Sequence, residues 1–301
     1  MAIENESNDD VGVTPDDLVK GVSGLVSLPD VCVRISEMVD SQCCSASDIG
    51  KVISRDAALT LRLLRIVNSA FFQFPSKIET VSRAITIVGN RELRDLVLAA
   101  SVAGIFEKIS SDLIDLDVFW RHGIYCGIIS RIVATRCRVL HNERLFVAGL
   151  IHDVGRLILA YKMPTECRQV LDLMALEGAT LRDAEQRVLG FDHAQVGATL
   201  MKVWCLPESH QAAALYHHTP QQADAYKLEA SILYLANIIA DIAESGAQNN
   251  TDLDDIPDDI WKITNVAPAD VESILIEARD PFIDALSLFR PRSRRSSSYA
   301  A

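Results

Sequence analysis

The sequence contains few of the residues that interrupt helices, with 14 glycines and 10 prolines among 301 residues. A turn-rich β-sandwich or barrel needs such residues wherever the chain reverses, so their scarcity favours helices. No apolar run reaches the ~18 residues that a membrane-spanning helix requires. The N-terminal stretch MAIENESNDDVGVTPDD is acidic and does not resemble a secretory signal. We therefore expect a cytoplasmic protein that has no membrane partner.

Positive charge is also scarce, since 29 lysines and arginines accompany 41 aspartates and glutamates, for a formal net charge of -12. Because the nucleic acid backbone binds basic surfaces, nucleic acid is not an expected partner. The cysteines form no CxxC pair and several lie in apolar segments, which is typical of reduced core thiols in a cytosolic protein. The seven are Cys32, Cys43, Cys44, Cys126, Cys137, Cys167 and Cys205.

Apolar residues recur at helical spacing along most of the chain, which predicts an all-α fold. Leu59, Leu63 and Ile66 provide one example, because they lie on the same face of a predicted helix. The polar cluster at 110–112 marks a boundary between shorter and longer helices. We predict a disordered acidic leader at 1–14, an N-terminal helical subdomain at 15–110, a second helical subdomain at 111–289 and a disordered, basic, Ser-rich tail at 290–301.

Three local expectations concern where helices end. The segment Glu143–Tyr161 is predicted as one continuous helix, and the polar stretch 245–255 as a loop. The last helix, at 269–288, is expected to be kinked or broken at Pro281, because proline lacks the backbone donor and clashes with the preceding turn.

A histidine–aspartate pair, His152–Asp153, lies inside the apolar segment AGLIHDVGRL at 148–157. Burying an imidazole and a carboxylate is costly unless the two are paired or bind a metal, and both groups are common metal ligands. Gly155, just beyond the pair, lets another backbone or a ligand approach closely. A structural ion pair is the alternative interpretation.

Four further histidines occur in helical surroundings: His122 within a helix, His193 at a helix start, and His217 and His218 at a helix end. Each alone is more typical of an ordinary hydrogen-bonded residue, and we assign His141 and His210 to that class. The succession of imidazoles on separate helices is how helical bundles build an internal metal site.

Several segments carry a more specific pattern: LPDV at 28–31, SRDAALTLRLLRIVNSA at 54–70, SRAITIVG at 82–89, LRDL at 93–96, FWRH at 119–122, GLIHDVGRLIL at 149–159 and VWCLP at 203–207. Together they resemble the HDOD family, the HD-related output domain of bacterial signalling proteins, within the HD superfamily of metal-dependent phosphohydrolases. The resemblance covers Leu28 to about Glu244. It implies two packed helical subdomains, the second an HD-type helical bundle and the first an interaction platform.

The chain departs from HD phosphohydrolases at positions that matter for hydrolysis. The closing carboxylate of their metal set aligns with Asn237, a neutral amide, although Asp241 lies one turn further on. Arg156 stands where active relatives usually carry lysine and is the candidate phosphate-binding residue. Thr219-Pro220 follows the double histidine, where the HD-GYP group carries Glu and later Gly-Tyr-Pro. The resemblance therefore implies a degenerate metal site without a catalytic residue.

The candidate ligands suit a transition metal such as iron, manganese or zinc, whether or not an ion occupies the site. They are His122, His152, Asp153, His193, His217, His218 and Asn237.

Three functions are open at this point. The resemblance favours a non-catalytic signal-transduction output module that acts through contacts with other signalling proteins. The alternative is a metal-dependent phosphohydrolase acting on a nucleotide or cyclic dinucleotide. A transcription factor is the third, because 85–98 has a helix–Gly–helix pattern, although simple helix packing explains that pattern as well. The oligomeric state is also open, a homodimer included, as are the upstream sensor and downstream target.

Overall fold

A computed structural model describes residues 12–41, 44–69, 76–106, 109, 111–245 and 251–289 of the chain. The predicted acidic leader lies mostly, and the predicted basic tail wholly, outside these residues. Every regular element in the described part is a helix and none is a strand, so the all-α prediction is confirmed. None of the described helices combines the length and the apolarity needed to cross a bilayer.

Six described helices precede residues 110–112, and the last of them, with 16 residues, is longer than several helices that follow, so helix length does not mark the predicted boundary. The six are α1 (Pro15–Val22), α2 (Asp30–Asp40), α3 (Ala46–Ile53), α4 (Ala57–Val67), α5 (Val81–Val88) and α6 (Asn90–Ile105). The helices beyond it are α7 (Leu116–Arg136), α8 (Glu143–Ile151), α9 (Val154–Lys162), α10 (Pro164–Glu177), α11 (Leu181–Leu189), α12 (His193–Val203), α13 (Glu208–Tyr216), α14 (Lys227–Ser245), α15 (Thr251–Asp254), α16 (Asp258–Thr264) and α17 (Val271–Phe289).

Side-chain caps start several of these helices. Thr14 accepts a hydrogen bond from the backbone N–H of Asp17, whose carboxylate in turn accepts from the backbone of Thr14. Ser45 and Asp48 form the same reciprocal capping box at the start of α3. Because the first N–H groups of a helix have no partner within it, these caps stabilise each start by about 1 kcal/mol.

Helix α7 is the centre of the second set of helices, where it packs against α8, α14 and α17. Helix α9 packs against α12, and α1 from the chain's N-terminal part also lies on these two helices. Phe106, at the end of α6, contacts Trp120 and Trp204 at ring-centroid distances of 6.1 Å each. One continuous cluster of buried apolar side chains runs through both sets of helices. The division into two subdomains stays a prediction.

Three of the predicted helix ends differ from the structure. The segment predicted as one helix is two, α8 and α9, which are separated at His152 and Asp153. Asp153 has φ -95° and ψ 4°, which leaves the α-helical region. The stretch predicted as a loop contains α15. The break expected at Pro281 does not occur, because α17 continues through it while Phe282 stacks on Tyr125 of α7 at 3.6 Å between ring centroids. Tertiary packing here outweighs the cost of the proline.

Candidate metal centre

The break between α8 and α9 brings neighbouring side chains to one point. Adjacent residues of a regular helix do not face each other. Here, Nε2 of His152 lies 3.3 Å from Oδ1 of Asp153. The same oxygen lies 3.3 Å from Nε2 of His193, at the start of α12, and 3.6 Å from Nε2 of His217, just beyond α13. Three imidazole nitrogens from separate elements therefore converge on one carboxylate oxygen.

Hydrogen bonds on the far side of two rings decide where their protons lie. Nδ1 of His152 donates to the carbonyl oxygen of Gly149 at 2.8 Å, and Nδ1 of His217 donates to that of Ala214 at 2.6 Å. A carbonyl only accepts, so each Nδ1 carries the proton and each neutral ring presents a bare lone pair at Nε2. Both Nε2 atoms are buried without a hydrogen-bond partner and face the carboxylate of Asp153. This arrangement is repulsive unless a cation lies between them.

The ring of His193 is oriented by a buried glutamate that sequence reasoning missed. Oε2 of Glu185, on α11, lies 2.6 Å from Nδ1 of His193 and accepts its backbone N–H at 2.9 Å. A carboxylate behind a metal-ligating histidine fixes the tautomer and raises the basicity of the ligand nitrogen. Nε2 of His193 lies 2.9 Å from Nε2 of His218. The available signal was an acid within the predicted helix that precedes His193.

Burial and charge shift the pKa values of these groups in opposite directions. Burial lowers the pKa of His152 to about 4 and that of His218 to about 3. Burial also opposes protonation of His193, but the carboxylates of Glu185 and Asp153 outweigh it and raise its pKa to about 10. Burial opposes ionisation of Asp153 too, but the neighbouring cationic groups hold its pKa well below the ordinary range. The carboxylate is therefore ionised at neutral pH.

Arg156 forms an ion pair with the second carboxylate oxygen of Asp153. Its Nη1 donates to Oδ2 of Asp153 at 2.8 Å, which leaves Oδ1 as the oxygen that faces the imidazoles. Arg156 also lines the cavity described below. The side chain predicted to hold a phosphate thus lies beside the candidate ligands and orients one of them.

The remaining predicted ligands meet on the α7–α14 side of the centre. Nε2 of His122 lies 2.8 Å from Oδ1 of Asn237, and its Nδ1 lies 3.0 Å from Oε2 of Glu244. Sγ of Cys126, one turn after His122, lies 3.3 Å from His122 Nε2 and 3.6 Å from Asn237 Oδ1. The sequence prediction placed Cys126 among the ordinary core thiols. Its spacing of four residues from His122 was the signal that it shares the same helix face.

The donor set fits a transition metal. Imidazole, carboxylate and thiolate are the ligands that zinc, iron and manganese take in proteins. Four groups among the described residues place one ligand atom from each member within 4.8 Å of the others: His152 with Asp153 and His217, His193 with His217 and His218, His122 with Cys126 and His152, and His122 with Asp241 and Glu244. The unpartnered lone pairs of His152 and His217 are the observation that indicates a cation.

A cavity of about 420 Å³ opens over the centre and gives it access to solvent. His122, Asp153, Arg156, His193 and Asn237 contribute to its wall, together with apolar side chains. The cavity can therefore admit an ion or a small anionic molecule to the predicted ligands.

The two histidines assigned to ordinary roles lie away from the centre. His141 is exposed and pairs with the buried Glu92. His210 is buried on α13, but neither of its ring nitrogens has a hydrogen-bond partner among the described residues.

Residues 25–220, which are more than half of the chain, match the HDOD domain family. An HDOD domain protein with unknown function from Geobacter sulfurreducens has a TM-score of 0.70 at 21% identity, with 92% of this chain and 98% of that chain covered. A Shewanella amazonensis SB2B protein, provisionally named a phosphohydrolase, has a TM-score of 0.70 at 25% identity, with 91% and 98% covered.

Among curated proteins, an uncharacterized protein of Treponema pallidum (strain Nichols) is 23% identical over 219 residues. The match covers 72% of this chain and 42% of that protein. The chain thus spans less than half of the length of this relative.

Proposed function

This chain belongs to the HDOD family, which is related to the HD phosphohydrolases, and we propose that it is a cytoplasmic bacterial signal-transduction module whose centre binds a transition metal without hydrolysing a phosphoester. The family resemblance, rather than one particular surface, supports an output through contacts with other signalling proteins. The metal-binding and non-catalytic parts of the proposal rest on separate observations.

Support for metal binding comes from the lone pairs that face Asp153. His152, His193 and His217 would hold the ion together with Oδ1 of Asp153, and His218 lies close enough to join them. When bound, the ion supplies the positive charge that these donors lack and acts as a Lewis acid. The carbonyl oxygens of Gly149 and Ala214 keep Nε2 of His152 and His217 free of protons. Glu185 orients the ring of His193 and raises its pKa, so His193 would release its Nε2 proton when the ion binds. The ion would thereby connect the α8–α9 break with α12 and the end of α13.

The neutral amide of Asn237 carries the non-catalytic part of the proposal. The resemblance to HD phosphohydrolases implies a carboxylate that closes the metal set, whereas Oδ1 of Asn237 here lies 2.8 Å from Nε2 of His122. An amide oxygen compensates less of an ion's charge than a carboxylate does. Arg156 further restricts Asp153 by occupying its second oxygen. These features leave fewer anionic ligands for a metal that would activate a water molecule for hydrolysis.

A hydrolysis assay tests this conclusion. The full chain would be loaded with Mn²⁺, Fe²⁺ or Zn²⁺ and given bis(p-nitrophenyl) phosphate or a cyclic dinucleotide. We expect wild type to show no more turnover than His152→Ala and Asp153→Ala. His141→Ala, at an exposed histidine outside the centre, is the matched control for the substitution itself. Metal-dependent turnover that is present in wild type and His141→Ala but absent from both centre variants would refute a non-catalytic role.

Hydrolysis is retained as a second candidate because Arg156 and the 420 Å³ cavity lie beside the metal donors, and because the Shewanella relative is provisionally named a phosphohydrolase. Restoring the carboxylate with Asn237→Asp separates the two candidates. If the missing charge causes inactivity, only the variant turns over substrate. If the chain is an enzyme, wild type is already active.

The structure offers little support for the transcription-factor alternative. In α6, 12 of the 16 residues are buried, including Leu93, Leu96 and Val97. A recognition helix must expose the face that enters the groove. The acidic net charge of -12 also opposes binding to a phosphate backbone. We expect no salt-sensitive shift of duplex DNA in a gel assay, and a shift that weakens steeply with salt would reverse this conclusion.

A further inference from the structure

A thiol lies where the metal centre lacks a negative charge. Cys126 is buried completely on α7, and its Sγ is 3.3 Å from Nε2 of His122 and 3.6 Å from Oδ1 of Asn237. Asn237 is the amide that replaces the expected carboxylate. The neighbouring thiol can become an anion when it coordinates a metal, because a coordinated thiol loses its proton. The negative charge that Asn237 lacks can thus be supplied by the thiolate of Cys126.

A second observation, independent of the cysteine, points to an ion at the same place. Nε2 of His152 is buried, carries a lone pair and has no hydrogen-bond partner. The ligand atoms of His122, Cys126 and His152 lie within 4.8 Å of one another, and the rings of the two histidines are 5.6 Å apart at their centroids. An unpartnered lone pair at full burial is costly unless it coordinates something.

The environment of His122 prepares its Nε2 for coordination. Nδ1 of His122 lies 3.0 Å from Oε2 of Glu244 and 3.5 Å from Oδ1 of Asp241, so it donates its proton to a carboxylate. Arg121 holds Glu244 in place, with Nε donating to Oε1 at 2.8 Å. This is the carboxylate–histidine pair that commonly supports a metal ligand. Without a metal, the contact from Nε2 to Asn237 instead requires a second proton on the ring.

We propose that His122, Cys126 and His152 form a thiolate-containing site that selects Zn²⁺, with the amide oxygen of Asn237 as a neutral fourth donor. Soft thiolate and imidazole ligands favour zinc over manganese or magnesium. Binding releases the thiol proton and any proton on Nε2 of His122. The inference rests on the proposed metal-binding function, because His152 lies between this site and the Asp153 ligands. One Nε2 coordinates one ion, so His152 belongs to the thiolate site when both sites are filled.

Cobalt substitution tests the sulfur ligand directly. The full-length, metal-stripped chain would be titrated with Co²⁺, and thiolate coordination would appear as a sulfur-to-cobalt charge-transfer band in the near ultraviolet. We expect the band in wild type and its loss in Cys126→Ser. Cys137→Ser is the matched control, because this thiol also lies at α7 but donates to the carbonyl oxygen of Thr264, away from the centre. A band that is absent from wild type, or unchanged in Cys126→Ser, would overturn the assignment.

Two further arms protect the test. X-ray absorption at the zinc edge of wild type needs no variant, and we expect one sulfur ligand at about 2.3 Å from the zinc. A coordination shell of nitrogen and oxygen alone would refute the proposal, even if Cys126→Ser does not fold. Asp153→Ala separates this inference from the proposed function, because the cobalt band should persist there. Metal binding without sulfur refutes only the thiolate site, whereas the absence of any bound metal refutes both.

Discussion

Gly155 is a residue at which α9 lies against α12, and its replacement by alanine tests whether this contact builds the centre. A Cβ built on Gly155 would overlap the carbonyl oxygen of His193 and lie 2.7 Å from the backbone nitrogen of Gly197. Both are backbone atoms that cannot rotate away, so the two helices must separate. Asp153 lies at the start of one helix and His193 on the other. The separation should therefore lengthen the 3.3 Å contact between Oδ1 of Asp153 and Nε2 of His193.

The expected magnitude follows from two opposing contributions. Glycine to alanine inside a helix normally stabilises a protein by about 0.5–1 kcal/mol. Overpacking in a close-packed contact costs about 1–3 kcal/mol. We expect Gly155→Ala to lower the free energy of unfolding by about 1–2 kcal/mol, or about 5- to 30-fold in the unfolding equilibrium. Gly104→Ala is the matched control on α6, because it is exposed with no atom within 4 Å of the added Cβ, so it should gain about 0.5–1 kcal/mol.

Urea unfolding with and without Zn²⁺ measures both consequences. Gly155→Ala should lower the midpoint without changing the slope, and added zinc should stabilise it less than it stabilises wild type. Gly104→Ala should keep the full response to zinc. The reasoning fails if Gly155→Ala is as stable as Gly104→Ala and responds equally to the metal.

Three other predictions follow from particular contacts. Glu185→Gln should weaken metal affinity about 10- to 100-fold without unfolding the chain, because His193 loses the carboxylate behind its ring. Calorimetric titration with Zn²⁺ measures the affinity, and an unchanged value would contradict this prediction. Burial lowers the pKa of His210 in the folded chain below its usual 6.5. As pH decreases through 6.5, the imidazole therefore takes up a proton in the unfolded chain but not yet in the folded one, and the free energy of unfolding falls. His210→Gln should flatten that part of the stability–pH profile, and an unaltered profile would speak against a neutral buried ring. Phe282→Ala should cost about 3 kcal/mol in thermal or urea unfolding, whereas the exposed Ile283→Ala should cost little; equal losses would show that α17 is not held by this stacking.

The sequence identified which histidines belong to the centre, but it did not predict the contacts between their side chains. His122 lies within a predicted helix, His193 at a helix start and the double histidine at a helix end, and these placements were visible from the sequence alone. Their order, together with the N-terminal segments at 28–31, 54–70 and 82–96, carried the resemblance to the HDOD family, and that resemblance implied the arrangement in two helical subdomains. The structure brings all seven predicted ligands into one region.

The features that the sequence did not predict depend on tertiary context. The apolar periodicity continues on both sides of His152 and Asp153, so nothing in the pattern marks the break that makes their side chains converge. Cys126 sits among apolar residues, which is equally typical of an ordinary core thiol. Pro281 was expected to kink or break the last helix, but α17 continues through it without a break, where it packs on α7.

Zinc binding to the metal-stripped chain, compared between wild type and Asp153→Ala, tests the central claim most directly. If the buried lone pairs around Asp153 require a cation, wild type binds at least one ion per chain, and at 100 times its dissociation constant zinc stabilises the fold by about 2.7 kcal/mol. Asp153→Ala should lose the ion bound at this carboxylate and the stabilisation that this ion supplies, while it keeps any ion bound at Cys126. Equal stoichiometry and affinity in the two proteins, or no binding to wild type, would contradict the account.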